Sequence, residues 1–141
     1  RIDPAFQQFV EAALAAGAEV NQAVNQDWLQ KVPAKDRGRS NPYAGKPTAI
    51  AGGKRLFDEH CAQCHGVDLG GTPGKPSLRT AVVEQATDGE LFWLLRNGDR
   101  RHGMPSWSSL PEPERWEIVA FLRDAASQSP LAVREQSSSQ R

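Results

Sequence analysis

The feature that most constrains this chain is the pentapeptide Cys61-Ala62-Gln63-Cys64-His65, which contains both of its cysteines. Two cysteines at this spacing, with a histidine directly behind the second, are typical of covalent haem attachment. Residues three apart on a helical turn share a face, so Cys61 and Cys64 can each form a thioether with one haem vinyl group. His65 follows within the same turn and can lie beneath the iron as a proximal ligand. The motif therefore predicts a haem protein.

Three other uses of the two cysteines are a structural disulfide, half of a zinc site and a thioredoxin-like redox pair. Each use lacks a companion feature in the sequence. A tetrahedral zinc site needs four ligands, and outside the motif the chain offers only His60 and His102, in no second cluster. A redox pair follows a strand in a βαβ unit, whereas the segment before Cys61 has the pattern of a helix.

The second informative feature is Met104, the only methionine in the chain. Methionine usually fills gaps in helical cores, but Gly103 and Pro105 flank this one, so its backbone is predicted to be a loop that can approach the haem closely. A thioether sulfur suits the sixth position on iron, and His/Met ligation favours electron transfer over binding of oxygen or peroxide. Met104 is the predicted second axial ligand beside His65, with His102 as the alternative donor.

The stretch from Asn41 to Ala126 resembles a class I c-type cytochrome, the small, mostly helical, monohaem kind found in bacteria. The residues that carry the resemblance are Gly53, Phe57, Cys61 to His65, Pro76, Leu78, Met104, Ile118 and Phe121. The resemblance implies an all-α cytochrome c fold of three core helices around one covalent haem c, with an additional N-terminal helix and long loops. It also implies that the Pro76 carbonyl accepts a hydrogen bond from the proximal histidine, which fixes the tautomer of the ring.

The runs Gly103 to Trp107 and Asn41 to Tyr43 are also similar to bacterial cytochromes that accept electrons from pyrroloquinoline-quinone dehydrogenases. This similarity implies a quinoprotein dehydrogenase as the electron donor and an oxidase or another cytochrome as the acceptor.

Several further residues have both a functional and a structural interpretation. Trp107 and Arg79 are candidate hydrogen-bond donors to the haem propionates, although a tryptophan after a loop also commonly covers apolar surface. Arg96, Arg100 and Arg101 precede Met104 and form either a solvated turn or a positive patch that steers an acidic redox partner.

Hydrophobic periodicity predicts helices over residues 51–59, 88–96 and 113–126. Gly53 has no side chain that would hold a second helix away, so we expect a helix to cross there. The resemblance identifies the crossing helix as 113–126. Asp88 is the predicted N-cap of the middle helix, and Asn97-Gly98 ends it. No strand pattern is evident.

The chain divides into four predicted parts: an N-terminal helical extension over residues 1–32, a linker or surface strap over 33–50, a cytochrome c haem domain over 51–126 and a polar tail over 127–141. The predicted N-terminal helix is amphipathic and broken or kinked near Gly17, and its apolar face either packs on the haem domain or docks a partner protein. Because Asp3 and Glu11 lie where a signal peptide carries positive charge, we expect that an export signal has been removed.

With 141 residues and a formal net charge of zero, the chain suits one domain and has no basic footprint for nucleic acid. No apolar run approaches membrane-spanning length. The predicted function is that of a periplasmic one-electron carrier, which transforms no substrate and has redox proteins as partners. The alternatives are a haem subunit or domain of a larger dehydrogenase or oxidase complex and a haem-based ligand sensor. The oligomeric state does not follow from the sequence.

Overall fold

A computed structural model of the chain describes residues 4–9 and 27–128. The chain forms two compact units that divide between Lys31 and Val32. In the first unit, residues 4–9 are helical, with Phe6 and Phe9 exposed, and Asp27–Lys31 is a 3-10 helix. The predicted kink near Gly17 lies outside the described residues, as does most of the predicted C-terminal tail.

The second unit is helical, and long loops connect its elements. The helices are α1 (Ala34–Arg37), α2 (Pro47–His60), α3 (Ala62–His65), α4 (Ala81–Gln85), α5 (Asp88–Asn97) and α6 (Glu112–Ser127), with a 3-10 turn at Arg100–His102. Over residues 4–9 and 27–128 there are no strands, only two isolated bridges, Thr72 with Lys75 and Asp99 with Met104. The predicted all-α class is confirmed. None of the helices in these ranges has the length and hydropathy needed to cross a bilayer.

The start of α2 and the N-cap of α5 differ from the prediction. α2 begins at Pro47 rather than at residue 51, because proline fits the first turn of a helix, where its missing N–H would have no partner. The N-cap of α5 is Thr87 and not Asp88. The Thr87 hydroxyl accepts the Glu90 N–H at 3.1 Å, and the Glu90 carboxylate accepts the Thr87 N–H at 2.8 Å. This capping box satisfies two backbone donors at once, which a cap by Asp88 alone would not do.

α2 and α6 cross at Gly53, as predicted. A Cβ atom on Gly53 would overlap the carbonyl oxygen of Glu117 and would lie 2.9 Å from the Cβ of Phe121, so the helices approach this closely only because the residue is glycine. One turn further along α2, the rings of Phe57 and Phe121 pack with 5.3 Å between their centroids. Both phenylalanines are buried, and Cys61 belongs to the same apolar cluster. The crossing therefore places the end of α2 in the core.

α5 packs on α6 through stacked rings. The centroids of Phe92 and Trp116 are 3.8 Å apart and their planes differ by 11°. The guanidinium carbons of Arg39 and Arg115 each lie 4.7 Å from the centroid of Phe92, close enough for cation–π attraction. Because Arg39 precedes α2 in the chain, this cluster also fixes the segment before α2 onto α5 and α6.

A second set of contacts involves polar groups. Arg123 of α6 donates to the carboxylate of Asp88 and to the carbonyl of Glu84, each at 2.7 Å. Arg39 pairs with Glu112 at 2.8 Å, and this hydrogen bond lowers the pKa of the Glu112 carboxyl. These contacts tie α4 and α5 to α6 and help to fix the segment before α2 at the start of α6.

The crossing at Gly53 can be tested by comparing neighbouring glycines of α2. We expect Gly53→Ala to lower the free energy of unfolding by about 1–3 kcal/mol, because the added methyl group meets the α6 backbone. Gly52→Ala is the matched control, since a Cβ there meets only the end of the Glu117 side chain, which can move. Thermal unfolding of the purified full chain, followed by circular dichroism, measures the effect of each substitution. Equal midpoints for the two variants would contradict the close crossing.

Candidate functional site

The cysteine motif begins at Cys61, the residue that caps both the end of α2 and the start of α3, and continues through the whole of α3. The Cys61 N–H donates to the Phe57 carbonyl at 2.8 Å, and the Cys61 carbonyl accepts the N–H groups of Cys64 and His65 at 3.1 and 2.9 Å. Cys61 is therefore the last group held by α2 and the first residue of the turn that follows. Its thiol is buried, that of Cys64 is half-buried, and both are free. One turn thus supplies two thiols and an imidazole.

The imidazole of His65 is oriented from the loop that follows the motif. Its Nδ1 lies 3.0 Å from the carbonyl oxygen of Pro76, the contact that the resemblance implies. A carbonyl can only accept, so Nδ1 carries the proton and Nε2 keeps the lone pair that a metal would need. The N–H of Gly71 donates to the His65 carbonyl at 2.7 Å, and the hydroxyl of Thr72 donates to the Cys64 carbonyl at 2.8 Å. These bonds fold the loop back onto the motif.

Burial, together with the neighbouring Cys64, raises the pKa of the Cys61 thiol to about 11. Without a bound group, this thiol is therefore neutral at pH 7, as its apolar surroundings require. Over the described residues, no group of three or more His, Cys, Asp and Glu side chains is arranged to hold a metal ion.

Met104 lies in a loop that returns along the end of α5. Asp99 and Met104 exchange backbone hydrogen bonds of 3.0 and 2.9 Å, which close a tight turn. Gly98 and Gly103 bracket this turn with φ of 71° and 87°, a region in which a side chain would be strained. A Cβ on Gly98 would also lie 2.7 Å from the carbonyl of Pro105. The turn is therefore closely defined, and it presents a half-buried thioether.

The same loop is tied to its surroundings at two further places. The N–H of Trp107 donates to the Leu95 carbonyl at 2.8 Å, and the Ser106 hydroxyl donates to the Arg96 carbonyl. Both acceptors are carbonyls of the last turn of α5, which have no partner within the helix. The Trp107 ring also packs against the ring of His60, the last residue of α2, with 5.0 Å between centroids.

The other predicted residues have identifiable surroundings. The Arg79 guanidinium donates to the Asp68 carbonyl at 2.6 Å, and Nδ1 of His102 lies 2.9 Å from the Asp99 carboxylate. Hydrogen bonding to the haem propionates stays a prediction for Arg79 and for Trp107. The arginines before Met104 are all exposed: Arg96, Arg100 and Arg101.

The residues present fit a covalently attached haem. The donor set is two free thiols, an imidazole whose Nδ1 is already engaged, and a thioether in a defined turn. Leu78 and Leu122 are half-buried and pack against the apolar cluster that contains Cys61. They would supply apolar walls to such a group.

Comparison with known proteins identifies the family. Residues 48–122, more than half of the chain, match the family model described as cytochrome c oxidase, cbb3-type, subunit III. The chain belongs to this family of c-type cytochromes. Its members bind haem c covalently, so the cofactor is covalent haem c, and the cysteines at 61 and 64 match the attachment motif. The predicted family, cofactor and non-enzymatic electron-transfer class are confirmed.

The relatives include small cytochromes and parts of larger proteins. The cytochrome is 29% identical over 119 residues to cytochrome c550 of Pseudomonas aeruginosa, covering 78% of this chain and 81% of c550. It is 31% identical over 84 residues to cytochrome c6 of Chlorolobion braunii, covering 55% of this chain and 92% of c6. It is also 32% identical over 81 residues to the cbb3-type cytochrome c oxidase subunit FixP of Sinorhizobium medicae, covering 55% of this chain and 28% of FixP. The match thus spans most of the small cytochromes and about a quarter of FixP.

Three residues that organise the site were not predicted from the sequence. Thr72 anchors the loop after the motif, Asp99 closes the turn at Met104, and His60 supports Trp107. Gly98 and Gly103 were the sequence signal that could have revealed the turn closed by Asp99, because two glycines around a short run indicate a tight turn. No local pattern marks Thr72 or His60.

The cysteine turn generates a direct test of attachment. In a host that matures c-type cytochromes, we expect the parent chain to keep its haem on a denaturing gel and Cys61→Ala/Cys64→Ala to lose it. Ser109→Ala, an exposed change, serves as control. Haem that stays on the double variant after denaturation would contradict attachment at these two residues.

Proposed function

We propose that the cytochrome carries single electrons between two redox proteins, with its haem fixed by Cys61 and Cys64 and its iron ligated by His65 and Met104. The observation that carries the proposal is the turn in which two thiols and an imidazole lie together while Nδ1 of His65 is already bonded to the Pro76 carbonyl. That hydrogen bond leaves Nε2 for the iron and raises its basicity.

The surroundings of Met104 support it as the second ligand in preference to His102. Met104 is half-buried in a turn closed by Asp99 and by left-handed Gly103. His102 is exposed, and its Nδ1 is engaged by the Asp99 carboxylate at 2.9 Å. This contact would still leave Nε2 of His102 available to a metal, so the preference for Met104 rests on burial: the thioether is half-buried in the turn, whereas the imidazole of His102 is exposed.

Bound haem supplies reversible one-electron chemistry at iron. The chain's own contribution is to keep two axial donors in place in both oxidation states and to limit the access of water. Helices α2, α5 and α6 form a packed scaffold, so little reorganisation is needed when an electron enters or leaves. An iron with both axial positions filled favours electron transfer over binding of small gases.

The proposed setting is the periplasm, with a quinoprotein dehydrogenase as donor and an oxidase or another cytochrome as acceptor. Support comes from the similarity of the Gly103 to Trp107 run to cytochromes that serve such dehydrogenases. The segment over residues 98–107 is called the Met104 loop. The exposed arginines at 96, 100 and 101 lie on or beside it, so they suit an acidic partner that docks there briefly.

A second candidate is a haem c subunit or domain of a cbb3-type oxidase. The family model and the FixP match favour it, since both are named for that enzyme. A ligand sensor, by contrast, needs an open axial position. Copurification of the full chain with a large membrane complex would favour the subunit over the free carrier.

Ligation by Met104 is tested with carbon monoxide. We expect the reduced parent protein to resist binding and Met104→Ala to bind one equivalent with a lower reduction potential, because removing the sulfur opens the iron and removes a ligand that favours Fe(II). His102→Ala is the matched control and should behave as the parent. Absorption spectra under carbon monoxide and a redox titration measure both effects. Gas binding by the parent, or by His102→Ala alone, would contradict the assignment.

The arginine patch predicts salt-dependent encounters with an acidic redox partner. We expect the second-order rate constant of electron transfer to fall about tenfold between ~0.01 M and ~0.15 M ionic strength, as screening shortens the range of attraction. Stopped-flow measurements with the parent and with Arg100→Gln/Arg101→Gln provide the comparison, and the variant should show a shallower dependence. Identical salt profiles for the two proteins would exclude these arginines as the steering charges.

A further inference from the structure

The Met104 loop is held from two sides, and the two sides differ in kind. On the α5 side, the backbone carbonyls of Leu95 and Arg96 accept the Trp107 N–H, at 2.8 Å, and the Ser106 hydroxyl. Both bonds end on backbone carbonyls in the last turn of α5. On the α2 side, the described contact is between two side chains, the rings of Trp107 and His60.

The position of His60 makes this ring contact informative. His60 ends α2 and directly precedes Cys61, so its backbone is fixed by the same helix that buries the Cys61 thiol. Its Nε2 lies 3.7 Å from the Glu59 carboxylate, and its side chain is 31% exposed. Trp107 is three residues after Met104 in the same loop. The two rings therefore connect the helix that carries the attachment motif to the loop that carries the methionine.

We propose that Trp107, supported by His60, is a positioning residue that holds the Met104 loop against the end of α2. The centroid separation of 5.0 Å and the interplanar angle of 49° fall in the range of favourable aromatic pairs. The inference rests on the proposed ligation by Met104. It assigns Trp107 a function that differs from the propionate hydrogen bond predicted from sequence.

The physical consequence concerns how often the loop opens. An added ligand such as imidazole can reach the iron only when Met104 has left it, so the apparent imidazole affinity is the intrinsic affinity multiplied by the open fraction. A contact that stabilises only the closed loop lowers that fraction. Loss of the contact raises the imidazole affinity by the same factor, whether or not the global stability of the protein changes.

The experiment is a titration of the oxidised, haem-loaded protein with imidazole, followed by loss of the far-red sulfur-to-iron absorption band. We expect Trp107→Leu and His60→Ala each to lower the midpoint imidazole concentration about three- to tenfold. Trp107→Phe, which keeps a ring, should stay within about twofold of the parent. Tyr43→Leu is the matched control, because it removes an aromatic ring that faces Lys46 outside the loop, and it should leave the midpoint unchanged.

A double-mutant cycle separates a direct pair from two independent effects. If the two rings act together, His60→Ala/Trp107→Leu should have the same midpoint as either single variant. The inference would be overturned if the two single shifts in midpoint multiplied in the double variant, if Trp107→Leu left the midpoint unchanged, or if Tyr43→Leu shifted it equally. Each of these results would leave ligation by Met104 intact. Absence of the far-red band from the parent protein would instead remove Met104 as ligand, and the inference with it.

Discussion

The close crossing of α2 and α6 at Gly53 is the contact on which the rest of the cytochrome depends. Because no side chain separates the two backbones, Phe57 and Phe121 can pack against each other one turn further along α2. Cys61 belongs to that buried cluster. The thiols and the imidazole of the motif therefore start from a rigid helix end, and their directions are set before any cofactor is attached.

Loops complete the site, and hydrogen bonds to helix ends make those loops specific. The loop after α3 returns through Thr72 to the carbonyl of Cys64 and brings the Pro76 carbonyl to His65. The loop after α5 uses the unpaired carbonyls of that helix in the same way. Hydrogen bonds thus hold segments with little regular structure in place, which suits an iron that must keep its ligands in both oxidation states.

The helices and the attachment motif could be predicted from sequence because both are local patterns. Periodicity located both ends of α5 and of α6 to within one residue, and the lack of a side chain at Gly53 indicated a helix crossing. The prediction of Asp88 as the N-cap of α5 was wrong because adjacent Thr87 and Asp88 are both good caps. Only the reciprocal bond with Glu90 selects Thr87. The contact of His60 with Trp107 joins residues far apart in sequence, so no local pattern could reveal it.

The proposed electron transfer requires one covalently bound haem with an imidazole and a thioether as its axial ligands. The most direct measurement is the absorption spectrum of the purified full chain, oxidised and then reduced. Axial ligation by His65 and Met104 predicts a low-spin haem in both states and, in the oxidised state, a weak far-red band from sulfur-to-iron charge transfer. A high-spin spectrum, or a low-spin spectrum without that band, would contradict it.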